Sequence, residues 1–98
     1  MVELTIQTPQ QCYQITVDIV DSNVTLKITS EHFSPTTLRL HCSEQSIALE
    51  QYYFLLRIIA TQFSRSIDHN DVVMAEVSFL NRLNNLINWL SESWEIVE

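Results

Sequence analysis

At Ser43 the spacing of the apolar residues changes, and that change constrains the fold more than any other feature of the chain. Before it, apolar residues recur at every second position: Val2, Leu4 and Ile6; Tyr13, Ile15, Val17 and Ile19; Val24, Leu26 and Ile28; Leu38, Leu40 and Cys42. Polar residues such as Glu3, Thr5, Gln14, Thr16, Lys27 and Arg39 fill the gaps. A period of two sends alternate side chains to opposite faces, so this stretch predicts four strands with one buried and one wetted face. That pattern favours an antiparallel sheet, and the short links allow a meander.

After Ser43 the period is that of a helix. Ser43 is the expected N-cap, Glu44 falls in the first turn, and Ala48, Tyr52, Leu55, Leu56, Ile59 and Phe63 form a stripe that can lie on the sheet. Ile47, Tyr53, Phe54 and Ile58 fall outside this stripe, so the first helix needs a second covering surface. The polar stretch "SIDHND", residues 66–71, predicts a short link, and Asn70 or Asp71 is placed to cap a second helix. The apolar face of that helix is Val72, Val73, Phe79, Leu80, Leu83, Leu86, Ile87, Leu90 and Trp94. The expected architecture is α+β in two layers, ββββαα: a sheet over residues 1–42, helices over 43–66 and 70–92 laid as an antiparallel hairpin on one sheet face, and a tail over 93–98. With 98 residues and 46% hydrophobic content, the chain suits one domain with one core.

The chain contains no glycine, which makes its tight turns informative. Between the second and third strands, a two-residue loop of Ser22 and Asn23 sets Ile19 across from Leu26, Asp18 across from Lys27 and Val17 across from Ile28. Asn23 would then take the left-handed conformation that glycine usually supplies. The lack of glycine also closes the P-loop and the dinucleotide fingerprint, both of which need it for close backbone approach to phosphate. There is no GxSxG elbow, no CxxC and no HxxxH. His41, Cys42 and Glu44 are near in sequence, but adjacent strand residues face apart. His32 and His69 fall in loops. No catalytic residue, cofactor or metal is therefore assigned, and an enzymatic role is not expected. Cys12 shares the parity of Gln14, whereas Cys42 shares that of Leu38 and Leu40. The two thiols should lie on opposite faces and remain unbridged.

Twelve acidic against five basic side chains give a formal charge of −7, which repels a phosphate backbone and an anionic membrane and favours a protein partner with a basic surface. Glu44, Glu50, Asp68 and Asp71 can also serve the helix dipoles in first turns. No apolar run is long enough to span a bilayer, and the acidic, alternating start is unlike a secretory signal, so a cytoplasmic setting is expected.

Two features on the second helix point to binding. On a helical wheel, Trp89 lies about 140° from the apolar centre near Leu83 and Ile87, beside Ser78, Arg82 and Asn85. Asn81, Asn84, Asn85 and Asn88 form an adjoining amide stripe, with Glu92 beyond it. A tryptophan on a polar helix face is a common interface anchor, so Trp89, Arg82, Asn85, Asn81, Asn88 and Glu92 are the candidate partner-binding residues. Glu76 falls on the apolar side of the helix and, if buried, would need a partner such as Arg57 or Arg65. Tyr53, Phe54 and Ile58 are the candidate self-association residues, in a homodimer or larger complex. The expected function is a non-enzymatic acidic binding module that occupies a partner's surface as an inhibitor, adaptor or chaperone does. One such form, by analogy, is the mobile-element inhibitor that covers a basic nucleic-acid-binding site. The alternative is a structural subunit sealed through its apolar helices.

Overall fold

The computed structural model describes residues 1–32, 34–68 and 76–97, with side chains described at 1–32, 34–63 and 78–97. His69, the expected caps Asn70 and Asp71, and Val72 and Val73 lie outside the described residues, and the side chains of Arg65, Asp68 and Glu76 lie outside the described side chains.

Four strands form in chain order, β1 (Val2–Gln7), β2 (Cys12–Val20), β3 (Asn23–Ser30) and β4 (Thr36–His41), followed by the helices α1 (Gln45–Asp68) and α2 (Glu76–Leu90). A fifth strand, β5 (Glu95–Val97), returns to pair antiparallel with β4, so the sheet order is β1-β2-β3-β4-β5. The fold is thus the expected α+β meander with two helices packed on one face of an open sheet, extended by one strand where only a tail was expected. Three residues are too few to show a convincing alternation. What seats them is Trp94: its amide and that of Ser93 both donate to the Leu90 carbonyl, at 2.7 and 3.0 Å, which folds the chain back and buries the indole in the core.

The alternation sorts the faces as anticipated. Ile6, Tyr13, Ile15, Val17, Val24, Leu26, Ile28, Leu38 and Cys42 are buried under the helices, while Thr5, Gln14, Lys27 and Arg39 are exposed on the open face. Cys42 is buried and Cys12 half-buried, both as free thiols. His41 projects to the open face, with its Nδ1 2.6 Å from Asn23 Oδ1, so it turns away from Cys42.

The β2–β3 register is not the expected one. Asp18 lies across from Thr25, Ile19 from Val24 and Val17 from Leu26, and the two loop residues are Asp21 and Ser22 rather than Ser22 and Asn23. A slip of two residues leaves every side chain on its original face, so burial of apolar residues cannot distinguish the two registers. Local chemistry does. Asp21 takes the positive φ, 55°, a region that Asp and Asn reach more easily than other non-glycine residues. Asn23 is freed to pair with His41, and the Ser22 carbonyl accepts the Cys42 amide at 2.8 Å. Asp18 accepts the Ile19 amide at 2.9 Å instead of facing Lys27. The β1–β2 loop also closes without glycine: Thr8 Oγ1 donates to the Gln11 carbonyl at 2.9 Å and accepts the Gln11 amide at 3.2 Å.

In α1, the first i to i+4 bond runs from the Ala48 amide to the Glu44 carbonyl, which puts Glu44, not Ser43, at the cap position. No acidic residue occupies the first turn of α1, so the expected dipole role fails there. Asp68, expected to open the second helix, closes the first, because α1 continues through Ser66 and Asp68. The helix kinks at Phe63 (φ −121°, ψ 19°), which is fully buried against Phe79 with ring centroids 5.5 Å apart; Phe79 in turn lies 4.4 Å from Tyr13. This aromatic column ties both helices to β2. α2 ends at Leu90, short of the expected residue 92.

Candidate functional site

α1 lays Ala48, Tyr52, Leu55, Ile59 and Phe63 on the sheet, and α2 contributes Phe79, Leu83, Leu86 and Leu90. Side chains off these stripes meet along the outer seam between the two helices. There Phe54 and Trp89 pack with centroids 6.0 Å apart and planes 55° to one another, yet each stays 47% exposed. A tilted pair at this distance is a favourable aromatic contact.

Beside the pair is an open depression of about 340 Å³, lined by Ile58 and Gln62 from α1 and by Arg82, Asn85, Leu86 and Trp89 from α2. Arg82 Nη1 donates to the Gln62 carbonyl at 2.6 Å, so the guanidinium crosses the seam and fixes one wall. On the other side of the indole, Gln51, Phe54, Glu92 and Trp94 line a second depression. The seam therefore combines an aromatic centre with amide and charged groups at its rim, the anatomy of a protein-binding patch.

The structure gathers candidates that the sequence had assigned to two different roles. Trp89, Arg82 and Asn85, read as partner-binding, share the seam with Phe54 and Ile58, read as self-associating. Glu92 joins through the second depression. Tyr53 does not belong with Ile58. It lies on the outer flank of α1, 63% exposed, in a depression shared with Glu50, Gln51, Phe54 and Arg57, so it borders the seam at Phe54 only. Asn81 and Asn88 are exposed outside the lining of both depressions, and Asn84 lines a groove on the far flank of α2 with Tyr13, Thr36 and Ile87. The amide stripe is thus divided between two surfaces. Gln51 and Gln62 were not foreseen. Gln51 lies three residues before Phe54 and Gln62 four after Ile58, so both fall on that flank at helical spacing.

The charges at the rim are mixed, Glu50 and Glu92 against Arg57 and Arg82. Among the described residues the acidic excess lies elsewhere, at Glu3, Asp18, Asp21, Glu31, Glu44 and Glu95. No group of three His, Cys, Asp or Glu side chains is gathered closely enough to hold a metal, and no helix is long and apolar enough to cross a membrane, among the described residues. Compared with known proteins, the chain matches no family model, no curated protein and no solved structure.

Proposed function

We propose that this chain is a non-enzymatic protein-binding module that uses the outer seam of its helical hairpin to occupy a partner's surface, as an inhibitor, adaptor or chaperone does. The observation that carries the reading is the Phe54–Trp89 pair, two large aromatic rings held together on the face of the helices that the sheet does not cover. Aromatic groups with a polar rim supply affinity. The remaining acidic surface, from a chain of formal charge −7, supplies the approach. It steers the module towards a protein with basic groups around its contact patch, including a protein whose basic site normally receives nucleic acid. Two free thiols on opposite faces of the sheet suit a reducing compartment, which supports a cytoplasmic setting.

The test is differential capture. Wild type, Trp89→Ala and a Lys27→Ala control are each used to retain proteins from the source cell, at low and at high salt. A partner retained by wild type and by the control, lost with Trp89→Ala and weakened by salt is the expected result. Identical retained sets for wild type and Trp89→Ala would reject the seam as the binding surface.

A further inference from the structure

β1 is an edge strand, and among the described residues no strand lies beyond it. It pairs with β2 in unbroken register from Val2 to Gln7, so it has no bulge, and it contains neither proline nor lysine. An edge of this kind, with its outward amides and carbonyls open, is a template for another strand. Its single charge is Glu3.

A second, partly exposed surface stands above the same edge. α1 rests on β1, β2 and β3. α2 covers the flank of α1 that carries Ile58 and Gln62, and it lies towards β4, since Leu80 and Leu83 share a groove with Ile28 and Thr36. At 100° per residue, the opposite flank of α1 carries Leu49, Tyr53, Leu56 and Ala60, and it overlooks the β1 side. Leu49 is 41% and Tyr53 63% exposed.

Strand and helix also run in the same direction. α1 starts at the end of the sheet where His41 faces Asn23, near the start of β1. It reaches, with Phe63, the aromatic column on Tyr13, the residue paired with Ile6. α1 therefore runs alongside β1, with its Phe63 end towards Ile6.

From these features we infer that a second copy of this chain docks here, β1 against β1, antiparallel about a two-fold axis through Leu4. The two five-stranded sheets become one, with all four helices on the same face. This register sets Val2 across from Ile6 of the other copy, Leu4 across from Leu4, and Glu3 across from Thr5. Centring on Glu3 would oppose like charges, and centring on Thr5 would leave Val2 opposite Thr8, outside the strand. Centring between Leu4 and Thr5 would set apolar residues against polar ones. The same axis sets the flank of α1 that carries Leu49 and Tyr53 towards the same flank of the other copy. With α1 centred near β2, the two α1 axes stand about three strand spacings apart, roughly 14 Å. That exceeds the 8–10 Å typical of directly packed helices, and the Tyr53 and Leu49 side chains fill the gap above Val2 and Leu4. A chain of charge −7 associates with itself where its own charge is thin or self-cancelling. This seam meets that condition, and its occupant is distinct from the partner of the Trp89 seam.

Sedimentation velocity from micromolar to millimolar concentration, with circular dichroism to confirm folding, tests the proposal. Wild type should reach twice 11.4 kDa. Thr5→Glu places two like-charge pairs across the axis and should weaken the dimer at least about tenfold. The double variant E3K/T5E should recover it. Tyr53→Glu should weaken it through the helix flank, while Trp89→Ala should leave it unchanged. Wild type that stays at 11.4 kDa throughout, or a dimer indifferent to both Thr5→Glu and Tyr53→Glu, would overturn the inference. Loss in Thr5→Glu without recovery in E3K/T5E would overturn the Leu4-centred register.

Discussion

At β4, Glu95–Val97 return as β5 and pair with Thr37, Leu38 and Arg39, whereas β1, at the other end of the same sheet, has six residues that no further strand pairs among the described residues. The helices repeat the asymmetry: α2 shields one flank of α1, while on the flank above β1 Leu56 packs against the core and Leu49 and Tyr53 stay exposed. On the covered side Trp94 is buried and Arg39 meets Glu95 at 3.2 Å; on the bare side Val2, Leu49 and Tyr53 are exposed. Phe54, Trp89 and Ile96 stay exposed on the first side as well, so the two sides differ in which elements pair with them and not in exposure alone. Burial of one large side chain is worth about 1.5 to 3 kcal/mol, so the bare flank is a standing incentive to associate.

The comparison breaks most readily at Trp94. Replacing it with alanine should cost about 3–5 kcal/mol, from a lost buried indole and the release of β5. Urea denaturation measures this, and a loss below about 1 kcal/mol would mean that the tail does not close this side. The β2–β3 turn comes next, because its register sets which residues face one another in the middle of the sheet. Asp21→Val puts a β-branched residue at φ 55° and should cost about 1–2 kcal/mol. Nuclear Overhauser contacts between Asp18 and Thr25, as opposed to Lys27, check the register itself.

How far the sequence reveals these features depends on what each one rests on. The period change at Ser43 and the parity of the strands follow from which side chains avoid water, and both are visible in the residues. The hairpin register is not, because moving the turn by one residue slips the register by two and buries the same face. β5 escapes notice because its three residues depend on Trp94 docking, a tertiary event. At the candidate site, the outward position of Trp89 follows from the helical period alone. Which flank of α1 receives α2 does not, since nothing local distinguishes Phe54 and Ile58 from Leu49 and Tyr53. That choice separates Tyr53 from Ile58 and leaves the β1 side bare.

Smaller effects sharpen the comparison. Arg39→Ala removes an exposed ion pair and should cost no more than about 0.5 kcal/mol, shrinking further in high salt. A larger loss would show that β5 is held by charge more than by Trp94. Tyr53→Ala, measured at a concentration where the chain is monomeric, should change stability by less than about 0.5 kcal/mol. A clear loss would place Tyr53 in the fold of the single chain, not on a surface awaiting a second copy.

Amide hydrogen exchange, followed by NMR across a range of protein concentrations, tests the asymmetry most directly. The outward amides of β1 should exchange rapidly in dilute solution and become protected as concentration rises, while those of β5 keep the same rate throughout. Protection of β1 that is independent of concentration, or equal changes at both edges, would contradict the account.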